Sequence, residues 1–334
     1  MFFEIAADKS RRPVDLIDRF TGPRPTTCWV LGGGPSLDRL PLAEIDASPA
    51  PKLAVNLAGV KQLRPDFWTA YDPTARFHRS IYHDARIAKL LPAWRASDLV
   101  PDTTDKVCDC PNTAFFELEG RDYRDAIAPG QSRVLDWADS FVMAIDLAYR
   151  LGFRRLLLAG CDMRVRPSEE QRKLARRAGV ADDPHETLES FARRCGEAGV
   201  GRDQLVRCEA ARVYHFDEGK TLDAAVSTDN HYWRIAQALR QSRRAFSAAG
   251  LELVSVTPGS RLNEFLPYAE ASAAAASLHD VWGDVRRETE RGRYAAAGPR
   301  LPQGVGPMRD IPPPRRDRKP DAKPKEPVFL REGD

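Results

Sequence analysis

Five consecutive residues, Gly32-Gly33-Gly34-Pro35-Ser36, have the types and order that a phosphate-binding turn needs. They follow the apolar run Cys28-Trp29-Val30-Leu31 and precede helix-compatible residues, the grammar of a buried strand, a glycine turn and a helix start. Three glycines permit positive φ and close backbone approach to a ligand. Pro35 loses no hydrogen bond at a first helical position, where the opening amides have no partner in the helix. Those amides and the helix dipole favour an anion, the dipole by roughly 0.3–1 kcal/mol. The motif is neither a P-loop, since no Gly-Lys-Ser/Thr follows, nor a complete GxGxxG.

Four other polar groups stand at the ends of apolar segments. Lys52–Leu57 reads as a strand that meets Asn56, and Phe67–Tyr71 as a strand that stops at Asp72-Pro73. Asp139–Leu151 has amphipathic helical spacing with an Asp-Ser start, and Gly152 closes it. Arg154–Ala159 is then a buried strand that ends in Gly160-Cys161-Asp162, and Leu251–Val256 is the last strand. Strands alternating with helices imply an α/β, Rossmann-like, doubly wound and mostly parallel sheet. Ligands of such sheets bind beyond the carboxyl ends of the strands, where the glycine turn, Asn56, Asp72 and Asp162 all fall.

Between these elements the reading is coarser. PLAEI is a short helix, Ala75–Trp94 has helical spacing, and Asp105–Cys110 reads as a strand. Residues 164–226 read as a charged helical insertion, a lid, ending in a hairpin of Val213–Phe216 with Thr221–Val226. Ser227-Thr228-Asp229-Asn230 would cap a helix running from His231 to Ala249. The domain reading is thus an N-terminal extension over 1–26, a Rossmann-like nucleotide-binding domain over 27–268, and a helical segment over 269–297. A proline-rich basic tail over 298–334 completes it, expected to be disordered because it cannot bury a core.

Composition narrows the function class. The 334 residues are 42% hydrophobic, enough for a real core, and the net charge of +3 lacks the overall footprint of a nucleic-acid binder. No apolar run is long enough to span a bilayer, and the N-terminus has acids where a signal peptide needs basic then apolar residues. A cytoplasmic location is expected, with six free cysteines whose spacing does not fit a zinc site. The tail's PPPRR and KPDAKPKEP would suit an acidic surface.

Three segments, GGGPSLDRL, DSFVMAIDLAYRLGFRRLLLAGCDM and VSVTPGSRLNEFLPY, resemble a superfamily. It joins the lipooligosaccharide-type bacterial sialyltransferases to the MptE-like family, which includes hydroxymethylpterin pyrophosphokinases. The resemblance covers roughly residues 27–73, 136–163 and 227–268. It implies that Gly32, Gly33, Gly34, Pro35 and Ser36 hold the phosphates of a nucleotide, with Asn56 and Ser140 against the nucleotide. Asp162 matches the aspartate of the family's Gly-x-Asp strand end. It also implies a histidine base, for which His231 is the nearest match and His215 the second. Gly33 replaces an asparagine of that family, and its paired tyrosines after Gly-x-Asp have no match, since Arg164 and Arg166 stand there instead.

The chemistry that these residues would support is transfer from a nucleotide-activated donor. A histidine near neutral pKa suits removal of the acceptor's hydroxyl proton, and Arg164 and Arg166 would pair with phosphate oxygens. The first reading is therefore a glycosyltransferase that takes a nucleotide-sugar donor to a glycan or protein acceptor. The second is an ATP-dependent pyrophosphokinase acting on a pterin-like alcohol, with Asp72 and Asp162 holding Mg²⁺. The third is a nucleotide-binding module without catalysis. Arg172, Lys173, Arg176 and Arg177 form a basic helical face that an anionic acceptor would fit. Trp29, Trp68 and Trp94 read as core residues.

Overall fold

A computed structural model describes residues 2–6, 8–21, 26–60, 63–120, 127, 133–215 and 218–278. Residues 1–26, read as an extension, begin the main sheet with β1 (Phe3–Ile5) and β2 (Arg11–Pro13). The Cys28–Leu31 run lies in β3 (Thr27–Leu31), buried along its whole length, and Pro35–Arg39 is one 3-10 turn rather than an α-helix. After α1 (Leu42–Ala47) come β4 (Lys52–Val55) and β5 (Phe67–Thr69).

The Ala75–Trp94 stretch corrects the helical expectation. It is a 3-10 turn, the short α2 (Arg79–His83), and then β6 (Ala88–Pro92), a strand buried on both faces. Lys89 hides that strand in the sequence: its side chain is buried, and its ammonium donates to the Asp84 carbonyl at 2.7 Å. The expected strand at Asp105–Cys110 is instead a 3-10 turn at Val107–Asp109, and the paired strand β7 is Thr113–Phe116.

A separate two-stranded parallel sheet pairs β8 (Leu118–Gly120) with β9 (Val134–Asp136). The amphipathic helix is α3 (Ser140–Arg150), capped by Asp139 and followed by β10 (Arg155–Ala159). The charged insertion folds as α4 (Glu169–Arg177), α5 (Leu188–Glu197) and α6 (Arg202–Val206) around an apolar centre that includes Val165, Leu188, Phe191 and Leu205. Its hairpin is β11 (Ala211–Arg212) with β12 (Gly219–Lys220), so the expected strand at Val213–Phe216 is instead, as far as residue 215, part of the connection between them. The segment Thr221–Val226 is not a strand, because α7 (Leu222–Gln241) already starts there, with Leu222, Ala225 and Val226 packed on the insertion. Then come α8 (Arg243–Ala248), β13 (Glu252–Ser255) and α9 (Ala271–Ala276). The helical segment over 269–297 is described only as far as residue 278, and the tail over 298–334 lies outside the described residues.

The main sheet is Rossmann-like, with nine strands in the order β13-β10-β3-β4-β5-β6-β7-β1-β2 among the described residues. The seven strands from β13 to β7 are parallel, and β1 and β2 add antiparallel at the edge. One face is covered by α3, α7 and α8 through Phe141, Ile145, Leu239 and Phe246, and the other by α1 and α9 through Ile45 and Ala274. The chain runs outward from β3 through β4 to β7, then returns to place β10 and β13 on the other side of β3. The direction of winding therefore reverses between β3 and β10, which opens a crevice at their carboxyl ends.

Candidate functional site

The glycine turn leaves β3 at that reversal, beside Gly160-Cys161-Asp162 leaving β10. The two are zipped together, with the Gly32 amide donating to the Ala159 carbonyl at 2.7 Å and the Gly34 amide to the Gly160 carbonyl at 2.8 Å. None of the three glycines takes positive φ, which corrects that part of the expectation. They are needed for closeness instead. A Cβ on Gly32 would come 2.8 Å from the Gly160 carbonyl oxygen, and one on Gly34 would come 2.0 Å from Asp162 Oδ2. Gly33 alone has ordinary room, 3.7 Å and 3.9 Å from the rings of Tyr214 and His215.

Asp162 Oδ2 accepts from the Ser36 hydroxyl at 2.6 Å and the Ser36 amide at 3.3 Å. Burial pushes its carboxyl above the usual carboxylate range, against the opposing pull of Ser36, Arg39 and Arg166. The turn's opening amides are consequently not all free for phosphate. Pro35 has none, Ser36 serves Asp162 and Leu37 donates to the Gly34 carbonyl, while the Gly33 amide makes no hydrogen bond among the described residues.

Asn56, Asp72 and Ser140 come together in one network. Asn56 ends β4 with φ of 57°, a left-handed conformation that asparagine tolerates better than most residues. The Ser140 hydroxyl donates to Asn56 Oδ1 at 3.2 Å and accepts from the Tyr71 amide at 2.9 Å. Asn56 Nδ2 donates to Asp72 Oδ2 at 3.3 Å, and Arg76 pairs with Asp72 Oδ1 at 2.8 Å. These partners do not fit the Mg²⁺ pair expected of Asp72 and Asp162. Both oxygens of Asp72 are engaged, Asp162 is turned onto Ser36, and no group of three or more His, Cys, Asp or Glu that could hold a metal ion is found among the described residues.

His231 is not in a first helical turn but in the middle of α7. Its Nε2 lies 2.9 Å from Asp139 Oδ2. The other carboxylate oxygen of Asp139 accepts from the Phe141 and Val142 amides at 2.8 Å and 2.9 Å, so a single side chain both caps α3 and holds the imidazole. A carboxylate on Nε2 selects the Nε2–H tautomer and leaves Nδ1 as the basic nitrogen. His215 is buried, with Nε2 at 3.2 Å from the Leu57 carbonyl oxygen and its amide on the Gly33 carbonyl at 3.0 Å, and these bonds brace the glycine turn.

These residues line one cavity of about 450 Å³ that includes Gly33, Asn56, Asp139, Asp162, Tyr214 and His231. Tyr232 lines it too, and burial pushes both tyrosine hydroxyls up, so they remain protonated hydrogen-bond donors. Arg164 also reaches the cavity; it is buried and pairs with Glu264 at 2.9 Å. Asp139, Tyr214 and Tyr232 were not legible as site residues. Asp139 shows in sequence only as a cap, and its histidine lies 92 positions away. The tyrosines come from the hairpin and α7, far from the segment after Gly-x-Asp. Trp29 and Trp68 are core residues as expected, but Trp94 is 47% exposed and lies edge-on to the cavity residue Tyr71.

No family model matches the chain, and no curated protein matches it. Among solved structures, the chain is similar to the sialyltransferase CstII from Campylobacter jejuni in complex with CMP-3FNeuAc. The identity is 12% and the TM-score 0.35, over 74% of this chain and 87% of that one. It is also similar to a substituted form of sialyltransferase Cst-II in complex with CMP, at 13% identity and a TM-score of 0.34, over 75% and 88% of the two chains.

Proposed function

We propose that the chain is a nucleotide-dependent transferase that moves a sugar from a nucleotide-sugar donor to a hydroxyl of a glycan or protein acceptor. The observation that carries this reading is the His231–Asp139 pair, set in the same cavity as the glycine turn at the reversal of the sheet. Sugar transfer by single displacement needs a base for the acceptor hydroxyl and donors for the departing phosphate, and both kinds of group line this cavity.

In this reading the nucleotide lies against Asn56 and Ser140, with its phosphates toward the Gly33 amide, Tyr214, Tyr232 and Arg164. His231 Nδ1 takes the proton of the acceptor hydroxyl as its oxygen attacks the anomeric carbon. The bond from that carbon to the donor phosphate breaks, and the electron pair leaves with the phosphate. Asp139 stabilises the imidazolium that forms, and the proton is later released to solvent. The helical insertion carries Tyr214 and closes over the donor as a lid.

A thermal-shift panel of CMP, UDP, GDP and ATP, each with and without Mg²⁺, tests the reading. A nucleotide at 100 times its dissociation constant should stabilise the fold by about 2.7 kcal/mol. Stabilisation by one of CMP, UDP or GDP is the expected result. No shift with any of the four contradicts nucleotide dependence, and a shift confined to ATP with Mg²⁺ replaces sugar transfer by pyrophosphoryl transfer.

A further inference from the structure

Beyond the glycine turn lies a second cavity of about 610 Å³, which shares Asp162 and Arg164 with the first. Five arginines line it (Arg39, Arg164, Arg166, Arg172 and Arg212) against three carboxylates, those of Asp162, Glu169 and Glu209. Three of the arginines are matched: Arg164 by Glu264, Arg172 by Glu169 and Arg212 by Asp38. Arg39 and Arg166 have no ion pair among the described residues, and Arg166 reaches only the Gly259 carbonyl, at 3.4 Å. The Nε atoms of Arg164 and Arg172 are buried and make no hydrogen bond among the described residues. Burial and the facing charges of Arg164 and Arg172 depress Arg166, against the opposing pull of Asp182 and Asp162.

We propose that this second cavity binds a phosphate monoester carried by the acceptor, with Arg39 and Arg166 as its two guanidinium clamps. The proposal rests on the sugar-transfer reading of the first cavity. A carboxylate is satisfied by one guanidinium fork, whereas a phosphate monoester brings about −1.5 to −2 charges and three terminal oxygens. Two guanidinia that make no ion pair among the described residues and two buried Nε donors without a hydrogen bond fit the larger anion. Arg164 stands between the cavities, so an acceptor phosphate held here would leave the rest of that molecule to extend past the Ser36–Asp162 contact toward His231.

The test is titration of inorganic phosphate into the full-length protein by calorimetry. It is run without nucleotide and again with saturating amounts of whichever nucleotide stabilises the fold. Wild type is expected to show saturable phosphate binding in both conditions. Arg39 and Arg166 line this cavity and not the first, which takes Arg166 away from the donor phosphates expected for it, so the double variant Arg39→Gln/Arg166→Gln should bind phosphate at least tenfold more weakly while nucleotide affinity changes less than twofold. Equal phosphate affinity in the two proteins, or no saturable binding in wild type, overturns the proposal. Acetate binding as tight as phosphate overturns it too, in favour of a carboxylate. If no nucleotide binds but phosphate binds and the double variant loses it, the anion site stands and the sugar-transfer reading falls.

Discussion

At Gly34 the turn has no room for even a methyl group, because a Cβ would lie 2.0 Å from Asp162 Oδ2. Gly34→Ala must therefore break the Asp162–Ser36 contact, and urea unfolding should show a loss of about 1–3 kcal/mol. Gly33→Ala meets only van der Waals neighbours and should stay within about 0.5 kcal/mol of wild type. Equal losses at the two positions would contradict the packing account. Asp139 permits a finer test, since asparagine caps a helix about as well as aspartate does. In Asp139→Asn the amide would donate to His231 Nε2, forcing the proton to Nδ1 and removing the base. Turnover should fall on the order of 10²-fold or more while the melting temperature barely moves. A wild-type rate would remove Asp139 from the mechanism.

Among the elements, β6 is the informative strand, because its lysine is buried and makes no ion pair among the described residues. Burial lowers the Lys89 ammonium to about 8, and the nearby charges of Cys110 and Asp84 only partly offset the loss of water. Between pH 8 and about 10.5 the unfolded chain holds this proton and the folded chain does not, so this group's contribution to stability rises with pH across that window. Below it the charged, buried lysine costs roughly 3 kcal/mol. Lys89→Met should be more stable than wild type at pH 7 by about 1–3 kcal/mol once the lost Asp84 bond is counted, with the gap closing toward pH 10.5. A gap that stays constant with pH would contradict the burial account. The same lysine explains why β6 was read as helix: a charged residue inside a short apolar run imitates an exposed helical position. The start of α7 reads as a strand for a related reason, since Thr221 and Val226 favour strands, while Leu222 and Ala225 pack with the insertion from a helix. The strands β3, β4, β5, β10 and β13 were legible because each is a short apolar run bounded by Gly, Pro, Asn or Asp.

For the whole molecule, the order of strands does what no local motif can. It brings the end of β3, the end of β10 and the middle of α7 to one crevice, and so joins Ser36 to Asp162 and Asp139 to His231. The glycine turn, Asn56, Asp72 and Asp162 could be named from sequence because strand ends mark themselves, whereas Ser140, which opens α3, was named only through the family resemblance. The Asp139–His231 pair and the two cavity tyrosines could not, since their meeting depends on how α3, α7 and the insertion pack. Donor hydrolysis by wild type and His231→Gln under saturating nucleotide sugar tests whether the crevice transfers sugar with His231 as base, as proposed. Turnover is expected to fall about 10²–10⁴-fold with nucleotide affinity unchanged within twofold. Equal turnover in the two proteins would contradict it.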